Sequence, residues 1–183
     1  LGQTGGVAAA RSTTATILVT DMVGSTSLRV RLGEERADEL RRVHDELLTA
    51  RIEANGGQVL KGQGDGLVAA FPAASEGLRA AIEIQQAIAA HNRRPDALAE
   101  IAIRIGLSVG DVSWDGGDCL GAPVVEATHL EAAAQSGQIL CSEFVRLMAR
   151  GRGNHEFVSL GALDLPGLPG SLPACQVRWS PPE

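Results

Sequence analysis

The most regular stretch of the chain runs from Ile101 to Val109. There Ile101, Ile103, Ile105, Leu107 and Val109 alternate with Ala102, Arg104, Gly106 and Ser108. A period of two puts the aliphatic set on one face of a central β-strand and a lone arginine on the other. An earlier apolar run, Thr16-Ile17-Leu18-Val19-Thr20, is short and rich in β-branched residues; it predicts a buried strand that delivers Asp21 at its tip. The period then changes. Between Glu34 and Ala54, Leu40, Val43, Leu47 and Ala54 recur at helical steps among charged neighbours, and Asn55-Gly56-Gly57 stops the helix. Strands are predicted at about 58–61 and 66–71, joined by Gly62-Gln63-Gly64-Asp65-Gly66 as a hairpin. A second helix, about 75–92, presents Leu78, Ala81, Ile84 and Ile88 on one face.

Residues 110–122 read as a Gly/Asp-rich excursion, followed by an Ala-rich helix to about Ala134 and a strand at 138–142. From Gly161 onward the chain carries Pro166, Pro169, Pro173, Pro181 and Pro182, so mostly loop with short edge strands is expected. The element order predicts an α+β sandwich on a ferredoxin-like βαββαβ core, its helices packed on one sheet face. Residues 1–14, rich in Gly, Ala, Ser and Thr, are expected to be a flexible leader or linker, with one domain over 15–179 and a tail at 180–183.

Composition narrows the classes of function. The 183 residues are 44% hydrophobic and 21% charged, enough for one well-cored domain. A formal net charge of −6 and only five aromatic residues argue against a nucleic-acid partner. No apolar run is long enough to cross a bilayer, so no membrane contact is expected of this segment. Cys119, Cys141 and Cys175 are odd in number and widely spaced, which predicts reduced thiols in a cytoplasmic setting, with Cys141 and Cys175 buried and inert. The chain opens on Leu1 rather than Met, as a piece of a longer polypeptide would. Of 16 cations 15 are Arg; the single Lys is Lys61.

Asp21 and Asp65 are the candidate metal ligands. In a βαββαβ sheet the first and third core strands are neighbours, so the two carboxylates can converge at one edge, and hard oxygen donors there suit Mg²⁺ or Mn²⁺. Each Asp also has an ordinary alternative: Asp21 as a helix cap, Asp65 as a turn residue. Val23-Gly24-Ser25-Thr26 opens a helix directly after Asp21, and its exposed amides offer a site for a triphosphate.

Three segments in this order, Ile17 to Thr26, Gly56 to Gly66 (Gly-Gly-Gln-Val-Leu-Lys-Gly-Gln-Gly-Asp-Gly) and Arg104 to Gly110 (Arg-Ile-Gly-Leu-Ser-Val-Gly), closely resemble the class III adenylyl/guanylyl cyclase catalytic domain, in its bacterial, actinobacterial-type branch. The resemblance covers about residues 15–178. It implies the class III nucleotidyl cyclase fold and a head-to-tail homodimer, or a heterodimer with another cyclase domain, with ATP bound at the interface. One chain would supply Asp21, Asp65 and the Met22 carbonyl as ligands for two Mg²⁺ or Mn²⁺ ions. The partner would supply a base-reading pair, matched here by Lys61 and Asp118. An ammonium and a carboxylate complement the ring nitrogen and exocyclic amine of adenine, and mismatch guanine. Lys61 could instead bridge to Asp65 within its hairpin, and Asp118 could be a plain loop residue. Arg104 resembles a phosphate-proximal arginine of the family, though pairing with a carboxylate across the sheet is the open alternative.

The family pattern breaks at three places. Four and eight residues after the glycine matching Gly121, the family carries an Asn that orients the ribose and an Arg that stabilises charge developing on the phosphate; this chain has Val125 and His129. A phosphate-contacting Lys late in the domain is replaced by Pro166. Two functions therefore stand: a weakly active adenylate cyclase in intracellular signalling, or a degenerate cyclase-homology domain that binds nucleotide or dimerises to regulate a larger protein.

Overall fold

The computed structural model describes residues 11–183. In chain order these form β1 (Arg11–Met22), α1 (Ser25–Leu32), α2 (Glu34–Ala54), β2 (Gln58–Gln63), β3 (Gly66–Phe71), α3 (Ala74–Asn92), β4 (Ile103–Asp115), β5 (Asp118–Leu120), α4 (Ala122–Ala133), β6 (Ile139–Ser142), α5 (Glu143–Met148), β7 (Phe157–Leu163) and β8 (Leu172–Val177). One mixed sheet runs β2-β3-β1-β4-β6-β8-β7, with β5 paired to β4. Its first four strands, with α2 and α3, are the expected βαββαβ unit, and β1 and β3 are antiparallel neighbours.

The alternation seen in the sequence decides what each face carries. Leu18, Ile103, Ile105 and Leu107 join Leu48, Ile52, Leu78 and Ile84 from α2 and α3 in one fully buried cluster. The opposite face of β1 carries Ile17 and Val19, and these pack with Ala127 of α4. The helices are thus not all on one face: α2 and α3 cover one side and α4 the other. The residue that permits this is Gly106. A Cβ there would sit 2.2 Å from the Ala127 carbonyl oxygen and 2.4 Å from the Glu131 nitrogen, so the backbone of α4 rests directly on the strand.

Other expectations need correcting. β1 starts at Arg11, because Arg11–Thr14 pair in register with Trp114–Asp111 of β4; the first ten residues of the expected leader lie outside the described residues. The excursion at 110–122 is a continuation of β4, a turn at Gly116-Gly117 and the short β5. β8 is an interior strand between β6 and β7 and tolerates Pro173, although a proline gives up one ladder donor. On α2 the buried stripe is Leu40, His44, Leu48 and Ile52, rotated from the expected face, while Val43 and Leu47 are partly buried. Cys141 and Cys175 are buried and free, as expected, and burial pushes the Cys175 thiol up to about 11.

His44 has no exposed surface. Its Nδ1 is 2.8 Å from Asp45 Oδ1, and its Nε2 is buried without a partner. Burial pushes its pKa below the ordinary value near 6.5, against the pull of Asp45. The folded state thus keeps the ring neutral where the unfolded chain takes up a proton. Stability is complete above about pH 6.5 and falls as pH drops below it, with a slope of up to ~1.4 kcal/mol per pH unit for one histidine. Urea midpoints measured between pH 7.5 and 5 should fall for the wild type and fall less steeply for His44→Gln; equal slopes in the two proteins would remove His44 as the source.

Candidate functional site

The site is built at the C-terminal end of β1. Asp21 faces Arg104 across the β1–β4 ladder, and Arg104 Nη2 donates to Asp21 Oδ2 at 2.7 Å. Arg104 also reaches α4, where its Nε stands 3.1 Å from Glu131 Oε1 without hydrogen-bond alignment. Burial raises the pKa of Glu131 and Asp21 adds to the rise, while Arg104 opposes it. The arginine therefore serves two carboxylates, the pairing left open by the sequence.

Asp65 comes to the same strand end through backbone contacts. The Met22 amide donates to the Asp65 carbonyl at 3.2 Å, and the Val23 amide to Ala102 O at 2.8 Å. The Leu67 amide donates to the buried Thr20 hydroxyl at 3.0 Å. This close approach needs Gly66, where a Cβ would lie 1.7 Å from the Thr20 carbonyl oxygen. The Gly-Asp-Gly segment thus has a steric reason: its second glycine lets the turn press the Asp65 loop onto β1.

Both carboxylates remain partly open, with side chains 34% exposed at Asp21 and 43% at Asp65. Asp65 accepts from the Ser25 hydroxyl through Oδ2 and from Arg41 Nη1 through Oδ1, the latter at 3.1 Å. Asp65 does occupy the β2–β3 turn, but Asp21 caps no helix and Lys61 does not bridge to Asp65. Gly24, not Asp21, is the N-cap of α1, in the left-handed region at φ 68° with no side-chain cap, and the cation at Asp65 is Arg41 rather than Lys61. Met22, Ser25, Thr26, Arg29, Arg41 and Asp65 line a cavity of about 110 Å³ against the uncapped start of α1. Among the described residues no three His, Cys, Asp or Glu side chains form a preassembled metal cage. Two carboxylates at one edge nevertheless fit a Mg²⁺-type ion, which takes one or two protein carboxylates and completes its shell with phosphate and water.

The other candidates lie elsewhere. Asp118 opens β5 opposite Asp115, eleven residues along β4 from Arg104, a span on the order of 30 Å for an extended strand. Lys61 is exposed on β2 and lies within electrostatic reach of Cys119, the neighbour of Asp118, whose thiol is raised by burial and eased back by that ammonium. The structure thus relates Lys61 to the Asp118 hairpin and sets Asp118 far from the carboxylate end. Val125 and His129 are one turn apart on α4, and His129 Nδ1 is 2.8 Å from the Val125 carbonyl oxygen. A Cβ on Gly167 would lie 2.8 Å from His129 Nε2, so the three departures at 125, 129 and 166 are neighbours.

Arg41 and Glu131 went unread in the sequence. Arg41 sits in a helix dense with charge, where only its i,i+4 spacing to Asp45 sets it apart. Glu131 gave no signal, because its partner is visible only once α4 is laid on β4.

No family model matches the chain. The crystal structure of an adenylate/guanylate cyclase/hydrolase from Silicibacter pomeroyi superposes with a TM-score of 0.76 at 32% identity, covering 91% of this chain and 97% of that one. The chain belongs to the class III adenylate/guanylate cyclase catalytic domains. This cyclase domain is also 30% identical, over 92% of its length, to a Rhizobium meliloti (strain 1021) protein provisionally named adenylate cyclase 3, of which it spans only 28%. The guanylate cyclase domain of RhGC from Catenaria anguillulae, solved with GTP, shares the fold at a TM-score of 0.79 and 20% identity, over 92% of this chain and 98% of that one. No helix among the described residues is long and apolar enough to cross a membrane.

Proposed function

We propose that this cyclase domain converts ATP to 3′,5′-cyclic AMP and pyrophosphate, slowly, as one half of a head-to-tail dimer. The observation that carries the proposal is the meeting of Asp21 and Asp65 at one sheet edge beside the uncapped start of α1. In the reaction the ribose 3′-oxygen bonds to the α-phosphorus, the bond from that phosphorus to the β-phosphate bridging oxygen breaks, and the 3′-hydroxyl proton is released. Asp21, Asp65 and the Met22 carbonyl would hold two Mg²⁺ or Mn²⁺ ions, which supply charge neutralisation at the phosphates and a more acidic 3′-hydroxyl. The chain's own residues do the rest. The amides of Val23 to Thr26 cradle the triphosphate and Arg104 steadies Asp21. Asp118 lies too far along β4 to serve the carboxylates of its own chain, so Lys61 and Asp118 read adenine in the partner's site.

A second reading has its own support. Val125 is apolar and 45% exposed at the position where the family places a hydrogen-bonding Asn, and His129 commits Nδ1 to a backbone carbonyl. A domain that binds nucleotide or dimerises to regulate a larger protein would need neither contact.

Incubating the protein with ATP or GTP and Mn²⁺ or Mg²⁺, then quantifying cyclic product, separates the two readings. Cyclic AMP formation supports the enzyme; metal-dependent ATP binding without product supports the regulator. Selectivity supplies a further expected result. The wild type should favour ATP over GTP by roughly 10⁴, and Lys61→Ala should lower kcat/KM for ATP by at least ~10² while leaving GTP nearly unchanged. Comparable use of both nucleotides by the wild type would refute the base-reading assignment.

A further inference from the structure

A continuous set of polar contacts runs from the core to the candidate metal ligands. Buried His44 is bonded through Nδ1 to Asp45 Oδ1 at 2.8 Å, and the same oxygen accepts from Arg41 Nε at 3.1 Å. Arg41 then spends its two remaining nitrogens on the Asp65 turn: Nη1 donates to Asp65 Oδ1 at 3.1 Å and Nη2 to the Gly64 carbonyl at 2.6 Å. With Ser25 on Oδ2, both oxygens of Asp65 are occupied. A guanidinium held at all three nitrogens is oriented by its helix rather than wandering over the surface. We propose that Arg41 is the internal counter-ion that a divalent cation must displace from Asp65, and therefore a positioning residue that sets the affinity of the nucleotide-free domain for its metal. The proposal rests on the reading of Asp65 as a metal ligand.

The physical argument is competition for one carboxylate. A divalent ion on Asp65 Oδ1 would meet the fixed positive charge of Arg41 at the distance of a hydrogen bond. Both cations cannot keep that oxygen without strong mutual repulsion. Arg41 is well shielded on α2, its side chain 28% exposed, yet Asp65 is open enough for water to screen much of that repulsion. The penalty should therefore be about one order of magnitude in affinity rather than several. Displacement does not orphan the arginine. Asp45 remains as its partner, and the cavity it lines with Ser25, Thr26 and Arg29 adjoins the start of α1, whose amides are proposed to cradle the triphosphate. Nucleotide could thus accept the guanidinium that the metal has expelled.

The test is Mn²⁺ affinity of the full 183-residue chain without nucleotide, read from the electron paramagnetic resonance signal of free Mn²⁺. Arg41→Ala should bind Mn²⁺ roughly tenfold more tightly than the wild type. Arg41→Lys restores a cation and should bring affinity back towards the wild-type value, which a merely structural role would not do. Arg94→Ala, which deletes an exposed arginine paired with Asp96, controls for net charge and should leave affinity unchanged. Arg41→Gln serves the same purpose as the alanine variant should that one unfold. Equal or weaker Mn²⁺ binding in the Ala and Gln variants overturns the proposal. Asp65→Ala separates the two levels of inference. If it abolishes binding while Arg41 variants match the wild type, only the role of Arg41 fails; if it binds Mn²⁺ as the wild type does, the metal-ligand reading fails and this inference with it.

Discussion

Asp21→Ala is expected to reduce cyclic nucleotide formation by at least ~10³-fold, and Asp65→Ala by a similar factor. Charge stabilisation by bound metal contributes several kcal/mol to such transition states, and ~1.4 kcal/mol is a factor of ten in rate. Removing one of two protein carboxylates forfeits most of that contribution. The loss should not come from unfolding. Asp21 is partly exposed at a strand end, and its partner Arg104 retains Glu131 nearby and the Ala132 carbonyl at 3.4 Å. The buried cluster beneath, with Ile103, Ile105 and Leu107, is untouched. Thermal melts should thus shift by only a few degrees, while metal-dependent ATP binding weakens in parallel with activity. Asp96→Ala, which breaks an exposed ion pair with Arg94, should retain wild-type turnover. Should Asp21→Ala keep more than a tenth of the wild-type rate, Asp21 is not a ligand of the catalytic ion.

The carboxylate pair was legible in the sequence because it depends on strand adjacency alone. Once residues 16–21 and 66–71 are strands of a βαββαβ unit, Asp21 and Asp65 must share an edge. The αβ order and the span of α2 followed from strong periodicity in the same way. What the sequence hid is where small or polar residues are buried for a reason outside their own segment. Ala102, Arg104, Gly106 and Ser108 look like a solvent-facing row, yet Gly106 is small because α4 lies on it, and Ser108 is buried with its hydroxyl bonded to Glu126 of that helix. Likewise His44 reads as polar and pushed the predicted stripe of α2 onto Val43 and Leu47. In the fold it is fully buried because Asp45 satisfies one of its nitrogens. Pairing partners across long separations, such as Arg41 with Asp65, have no periodic signature at all.

The second large effect is a gain. Val125→Asn combined with His129→Arg should raise turnover by roughly 10²–10⁴, and adding Pro166→Lys should raise it further. One preorganised donor aimed at developing charge is worth about 10²–10³, and donors acting together give less than their product. The fold leaves room for all three changes. Val125 is exposed on α4, Asn is close to it in size, and Pro166 is exposed in a turn closed by the Leu168 amide donating to Leu165 O at 3.1 Å. His129 is the demanding position, because its Nε2 already sits against Gly167. An arginine there must extend past that turn towards solvent. The adjacency of the three positions also predicts coupling: Pro166→Lys should add more on a His129→Arg background than alone, measurable as a non-additive term in a double-mutant cycle. The share of the gain due to His129→Arg should fall on kcat, since that contact acts on charge developing only in the transition state. The ribose and phosphate contacts of Val125→Asn and Pro166→Lys are also made in the bound substrate, so these should lower KM as well. A lower KM with unchanged kcat would mean the substitutions govern ground-state nucleotide binding instead. No gain in either would mean that positions 125, 129 and 166 do not limit turnover in this domain.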